Sequence, residues 1–301
     1  MKILLTGASG LLGGYMLPIL QKNNVVTTLQ RHDADVVCDL AKETPDLSQY
    51  SFDLVIHAAG TSDNSEAIDL NYEGTKRLLK ALEKNPPEEF VYLSSWEVYS
   101  PDSGENVKED HRLWAVSKAG QSKALAEEVL SKWCEQHGVL LTILRPARMF
   151  GKGMKGEMAN LFNDVVHGRY LHVRGNDARL SLVCATDVAE AAQNLHSIGG
   201  IYNICDEKGA TWLELAEAMS ANSGAMKRQI ALPEKWAALA WKLIPWIPAV
   251  RASLSPAILD MRKKSLTLSA ERIKETLDGW NPYPTLEVIS RENRSYSYLD
   301  K

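Results

Sequence analysis

Gly7-Ala8-Ser9-Gly10-Leu11-Leu12-Gly13 follows an apolar run, Ile3-Leu4-Leu5, and opens a helical stretch. Glycines at this spacing let the chain turn tightly and let backbone N–H groups approach a pyrophosphate. The N-terminus of the helix that follows then favours the negative charge. A strand, a glycine loop and a helix in immediate succession leave the strand unable to bury both faces alone, which requires a larger sheet with helices packed on it. Gly7, Ser9, Gly10, Leu11, Leu12 and Gly13 are therefore the expected cradle for a dinucleotide phosphate.

The rest of the first half agrees with that constraint. Strands are predicted at 2–6, 25–29, 35–38, 53–57, 89–94 and 139–144, and helices at 11–22, 65–84 and 115–137. Alternation of short β-branched runs with helical stretches points to a parallel sheet covered on both faces. Leu141-Thr142-Ile143-Leu144 is nearly continuously apolar, as a strand buried on both faces should be. After Arg145-Pro146 the rhythm changes. Residues 147–178 carry Gly, Met and basic residues with little strand pattern; strands return at 180–184 and 201–204, and 211–222 reads as a helix.

Composition narrows the function classes. The 301 residues are 45% hydrophobic and 24% charged, with a net charge of −4 and no long basic block, so no nucleic-acid partner is expected. Cys38, Cys134, Cys184 and Cys205 are widely separated, which argues against a disulfide framework or a zinc site and fits a reducing cytoplasm. No metal is expected. No signal peptide is visible, because Met1–Leu5 runs at once into the glycine loop. The apolar, Trp-rich stretch Trp236–Val250 is interrupted by Lys242, Pro245 and Pro248 and is too short to span a bilayer. It reads as a helix and turn covering a ligand site or packing on the body, the alternative being an interfacial membrane contact; no membrane partner is expected.

At the end of the second strand a dinucleotide site of the NAD type carries an acidic residue for the ribose hydroxyls. Here the strand ends Leu29-Gln30-Arg31-His32. Gln30 takes the acidic place, and the Arg31 guanidinium suits a 2′-phosphate. NADP is therefore expected, with NAD as the alternative. Asp33 lies close enough in sequence to oppose such a phosphate.

Several segments in order resemble the extended branch of the short-chain dehydrogenase/reductase superfamily, the NAD-dependent epimerase/dehydratase family. They are Thr6–Gly13, Cys38-Asp39-Leu40, His57-Ala58-Ala59-Gly60, Asn71-Tyr72-Glu73-Gly74-Thr75, Leu93-Ser94-Ser95-Trp96-Glu97-Val98-Tyr99, Ile143-Leu144-Arg145-Pro146, Thr186-Asp187-Val188-Ala189 and Leu277-Asp278-Gly279-Trp280-Asn281-Pro282. The resemblance runs nearly the whole chain. It implies a doubly wound parallel α/β sheet (Rossmann) with a smaller interleaved C-terminal substrate lobe. Residues 1–150 plus about 179–205 would bind the dinucleotide, and 151–178 plus about 206–301 the substrate. It also implies cofactor contacts from Arg31, Asp39, Leu40, His57, Ala58, Ala59 and Lys118, a nucleotide-linked or similar carbohydrate as substrate, and a homodimer through the helices near 74–84 and 115–137.

The family's chemistry uses a Tyr-x-x-x-Lys pair and a serine. Ser95 matches the serine, and Trp114-Ala115-Val116-Ser117-Lys118 is the expected place for the pair. Trp114 then stands where the phenol should be, and an indole does not ionise in the useful range. Either Tyr99, Glu97 or His111 supplies the proton, or bound water does so slowly, or the protein binds cofactor without redox chemistry, as a sensor or scaffold. Glu97 matches the glutamate of 4,6-dehydratases, but Trp96 replaces their aspartate, which disfavours elimination of water. Trp96 and Trp114 would fill or line the sugar site. Asn160, followed by Leu161, and Arg179 are the candidates for the substrate diphosphate, with Arg148 and Arg174 as alternatives.

Overall fold

The structure is a computed structural model, and it describes residues 1–222, 229–244 and 246–291. Seven strands form one sheet: β1 (Lys2–Thr6), β2 (Val25–Gln30), β3 (Val36–Val37), β4 (Leu54–His57), β5 (Glu89–Leu93), β6 (Leu140–Pro146) and β7 (Gly200–Ile204). Their order across the sheet is β3-β2-β1-β4-β5-β6-β7, and every pairing is parallel. The order reverses between β1 and β4, so the carboxyl ends of these two strands bound a crevice. Ile3 pairs with Leu54, and Thr6 with His57, which sets the glycine loop beside the segment after β4.

Both faces of the sheet are covered. On one face α1 (Leu11–Leu20) and α5 (Ala185–Leu195) pack through Leu12, Met16, Leu20, Val188 and Leu195 onto Ile3, Leu5, Ile56 and Leu144. On the other, α2 (Gly74–Leu82) and α3 (Lys118–His137) pack through Leu78, Leu82, Ala126, Leu130 and Trp133 onto Leu4, Val55, Phe90 and Ile143. The strand interiors read as unbroken apolar runs because each face meets a helix. A six-residue π-helical turn, Ile68–Glu73, precedes α2 inside the helix expected at 65–84. Its Asn71 is fully buried and turned inward.

The C-terminal lobe has its own core. The helix α4 (Gly156–Val166) was not legible in the 147–178 stretch, although Met158, Leu161, Phe162 and Val165 follow helical spacing. These side chains meet Phe150, Tyr170, Leu182 and Trp212, together with Leu215 and Met219 of α6 (Trp212–Asn222). A four-stranded sheet in the lobe joins residues 104–107, 266–268, 179–180 and 210–211, so the lobe takes one strand from the first half of the chain. The strand expected at 180–184 is split, with 179–180 in that sheet and 182–184 paired to 148–150. The lobe was expected to run to residue 301, and its last ten residues lie outside the described ones. Among the described residues no helix is long and apolar enough to cross a membrane.

Candidate active site

The glycine loop is built by close packing. Gly7 has φ +71°, and a Cβ there would lie 2.7 Å from the Ala59 backbone. A Cβ on Gly13 would sit 2.2 Å from the Gly7 carbonyl oxygen, so α1 reaches the loop only because residue 13 has no side chain. Gly10 caps α1 without a side-chain bond, and no acidic residue stands in the first turn. The N–H groups of Leu11, Leu12 and Gly13 therefore point into the crevice with the positive end of the helix behind them. This cradle fits a pyrophosphate. Ala58 and Ala59 supply the opposite wall, and the Ala59 N–H donates to Thr6 Oγ1 at 3.1 Å.

At the end of β2, the Ser9 N–H donates to Gln30 Oε1 at 2.7 Å, and Gln30 Nε2 donates to the Asp33 carbonyl. A cavity of about 500 Å³ opens there, lined by Ser9, Thr28, Gln30, Asp33 and Asp35 among others. Arg31, next after the strand, is exposed, and its charge acts on Asp39. Asp39 pairs with Lys42 at 3.1 Å. Leu40 is buried beneath, and its carbonyl accepts from Arg77.

The His57 ring is fully buried. Nδ1 meets Thr6 Oγ1 at 2.7 Å and Nε2 meets Thr75 Oγ1 at 3.0 Å. Burial pushes its pKa down to about 3, so the ring stays neutral. It ties β1 and β4 to α2, so the His57 side chain is engaged in the core while its backbone begins the segment after β4.

Ser95 begins a 3₁₀ turn over Trp96–Val98 and caps it by accepting from the Glu97 N–H. Tyr99, at the end of the turn, is 1% exposed. Its hydroxyl donates to Asn203 Oδ1 at 2.9 Å and accepts from Arg145 Nη1 at 2.8 Å. Burial raises its pKa. Both of its hydroxyl's bonds commit Tyr99 to this buried network. His111 is exposed on the following loop. Glu97 turns the other way, toward α3, where it accepts from Ser117 Oγ at 2.6 Å. Burial raises its carboxyl pKa, the Ser117 bond lowers it, and the neighbouring Glu157 raises it again.

Trp114 and Lys118 lie outside the molecule's interior. Trp114 is 59% exposed, with Arg112 over its ring at 4.6 Å, and Lys118 is exposed at the start of α3. The lysine that enters the protein is Lys123. Its Nζ donates to the Leu93 carbonyl at 2.6 Å and lies against Gly60 and Asn71. Burial lowers its pKa to about 8, and the charges of Glu127 and Glu97 oppose that shift. Asn71 in turn donates to Ser122 Oγ at 2.9 Å and accepts from the Thr61 N–H at 2.8 Å, holding the segment after β4 to α3. The sequence holds two serine–lysine pairs on this helix, Ser117-Lys118 and Ser122-Lys123, and only the second is followed one turn on by a glutamate, Glu127; burial decides between them.

Behind this group lies a buried network that the sequence pattern did not expose. Arg145 reaches Glu127 through two bonds, Nε to Oε1 at 3.0 Å and Nη2 to Oε2 at 2.6 Å. Ser94 Oγ donates to the same carboxylate, and Arg145 Nη1 also donates to the Glu109 carbonyl.

On the lobe side Arg148 lies over Trp96 at 3.7 Å and over Trp212 at 5.5 Å, and donates to Glu157 at 3.1 Å. Arg262 stacks on Trp212 and Tyr170 at 5.0 and 5.2 Å. Glu157, Trp212 and Arg262 join this group without any sequence signal. Arg179 donates to the Lys208 and Gly209 carbonyls and so braces that loop. Asn160 and Arg174 are exposed.

Residues 3–205 match the model of a family described as NAD dependent epimerase/dehydratase family. The chain is 26% identical over 223 residues to an N-acetyl-α-D-glucosaminyl-diphospho-ditrans,octacis-undecaprenol 4-epimerase of Escherichia coli O157:H7, covering 68% of this chain and 67% of that one. It is 25% identical over a 319-residue alignment to a UDP-glucose 4-epimerase of Vibrio cholerae, covering 95% and 92%. Among solved structures, a UDP-glucuronic acid 4-epimerase from Bacillus cereus in complex with NAD superposes with a TM-score of 0.76 at 18% identity, covering 100% of this chain and 99% of the other.

Proposed function

Because the chain belongs to the NAD-dependent epimerase/dehydratase family, we propose that it binds a nicotinamide dinucleotide on the residue 7–13 loop and acts on the sugar of a nucleotide-linked or similar carbohydrate, with Glu97 as its proton carrier. Residues 1–150 and about 179–205 supply the cofactor domain in this reading and lend strands 104–107 and 179–180 to the sheet of the substrate lobe, which the remainder forms. The observation that carries it is the placement of Glu97. This carboxyl sits on the turn that Ser95 begins, is hydrogen-bonded to Ser117, and interacts electrostatically with Lys123.

Lys123 takes the lysine role here, in place of Lys118. One helical turn before it, on the same face of α3, stands Ala119. The phenol is thus absent at that position as well as at Trp114, and the question of a substitute acid stands on either placement. Bound nicotinamide supplies hydride acceptance and return at a sugar carbon. Ser95 holds the sugar oxygen, Glu97 as carboxylate takes its proton and gives it back, and the Lys123 ammonium holds the cofactor ribose. Gln30 in place of a carboxylate, with Arg31 exposed beside it, supports NADP as the preferred dinucleotide, while the NAD-bound relative supports NAD.

Turnover of UDP-glucose and UDP-N-acetylglucosamine with either dinucleotide tests this reading. Glu97→Gln is expected to lower kcat by about 10²–10⁴-fold, the usual worth of general acid–base help. Ala119→Tyr supplies a phenol one turn before Lys123 and should restore activity to Glu97→Gln. A second reading rests on the same missing phenol and on Arg148 stacked over Trp96: a sensor that binds dinucleotide without chemistry. It predicts no turnover by the wild type and a gain in Ala119→Tyr alone. Failure to bind NADPH and NADH would sink both.

A further inference from the structure

Residues 234–251 carry a surface that neither the cofactor site nor the lobe core uses. In α7 (Glu234–Leu243), Ala237, Ala240, Trp241 and Ile244 just beyond it face inward, packing with Val173, Val250 and Leu254. The opposite stripe is also apolar. Trp236, Leu239 and Leu243 follow one another at i, i+3 and i+7 and are 62%, 42% and 60% exposed; Trp246 and Ile247 continue the patch in the next turn at 73% and 39%. A helix apolar on its inner face and again on its outer one has a second surface to bury.

Charge identifies what covers it. Residues 229–264 hold six basic side chains against two acidic ones, a net of +4 in a chain whose total is −4. Lys235, Lys242 and Arg251 are exposed and make no ion pair among the described residues, whereas Lys263 pairs with Glu234 and Lys264 with Asp102. On the helix wheel Lys235 and Lys242 flank the apolar stripe on one side. Their stems can lie along the apolar surface while the ammonium groups reach outward. Tryptophans and leucines between free lysines match the boundary of a bilayer bearing negative headgroups, where indole rings sit at headgroup depth. A second copy of the same face would set these positive groups against each other.

We propose that α7 and the turn after it form a peripheral docking face for an anionic phospholipid surface. The contact lies in the interface and crosses nothing, and it places the substrate lobe, which also carries Arg262, against the bilayer. Its existence does not depend on the chemistry proposed above.

The test is co-sedimentation of the full chain with vesicles of phosphatidylcholine alone and of phosphatidylcholine with phosphatidylglycerol. The wild type should bind the anionic vesicles at least tenfold more tightly than the neutral ones, and less so as salt rises. Lys235→Glu with Lys242→Glu should remove that preference. Trp236→Ser with Leu243→Ser should weaken binding at least tenfold, with the circular dichroism and melting temperature of the wild type retained. A wild type that stays in the supernatant overturns the proposal. So does equal binding by the Trp236→Ser/Leu243→Ser variant. A dimer in sedimentation equilibrium that this variant converts to monomer, without vesicle binding by the wild type, assigns the face to a second copy and also overturns it.

Discussion

At the residue scale the site turns on which of two lysines lies inside. Lys118 and Lys123 both follow a serine, and both stand on α3. Burial separates them: Lys123 is 8% exposed and bonded to Leu93, whereas Lys118 faces solvent. Lys123→Met should weaken dinucleotide binding by tenfold or more in calorimetry, and Lys118→Met should leave it unchanged. The pH dependence follows from the same burial. Lys123 has its pKa lowered to about 8, so its ammonium is present below that pH and lost above it. Dinucleotide affinity should therefore fall as pH rises through about 8. The Glu97 carboxyl, with its pKa raised, must lose its proton before it can act as base, so activity should climb with pH on the acid side. Arg31 gives a second residue-scale test. Arg31→Ala should cost about tenfold in NADPH affinity, the scale of one charged hydrogen bond, and leave NADH unaffected; equal loss for both would remove the 2′-phosphate reading.

At the element scale the strand–loop–helix unit leaves no room for change. A methyl at residue 13 meets the Gly7 carbonyl oxygen and Ala8 Cα, both backbone. Relief requires α1 to move off the loop. Gly13→Ala is expected to destabilise the fold by about 1–3 kcal/mol, the range for overpacking a tight core, and to weaken dinucleotide binding; denaturant unfolding and calorimetry read the two effects separately. The helix α3 shows the limit of pattern reading at this scale. Its expected start at 115 falls three residues early, because Ser117 caps the helix by accepting from Gly120 N–H. The same Ser117 hydroxyl donates to Glu97, so one side chain ends the loop and orients the carboxyl. The outward face of α3 presents Gln121, Leu125, Glu128 and Lys132, and that of α2 presents Lys76 and Lys80.

At the scale of the whole molecule, the halves are fastened by buried polar groups. Glu127 of α3 and Arg145 of β6 are 4% and 3% exposed. Through Tyr99, Glu109 and Asn203 the pair reaches β7 and the strand 104–107 that the lobe shares. Glu127→Ala leaves a buried guanidinium without its carboxylate, holding only the Tyr99 hydroxyl and the Glu109 carbonyl. Removing one partner of such a pair costs about 3–5 kcal/mol, and the melting temperature should fall accordingly. A shift of less than a degree would mean that solvent reaches Arg145 and that the network is not a fastening.

The sequence by itself determined the sheet, its helices and the phosphate loop. Those depend on local rules: glycine where backbones touch, continuous apolar runs where two helix layers cover a strand, and alternation that admits few topologies. That Ser95 and Glu97 stand together on one turn was legible for the same reason, since both belong to one short segment at a strand end. The tertiary structure alone decided which lysine is buried, that His57 is locked between Thr6 and Thr75, that Tyr99 belongs to the Arg145 network, and that Arg148 lies over Trp96 and Trp212. Each of these joins residues far apart in the chain. Their roles depend on burial and on a partner's charge, and no spacing in a linear sequence carries either quantity.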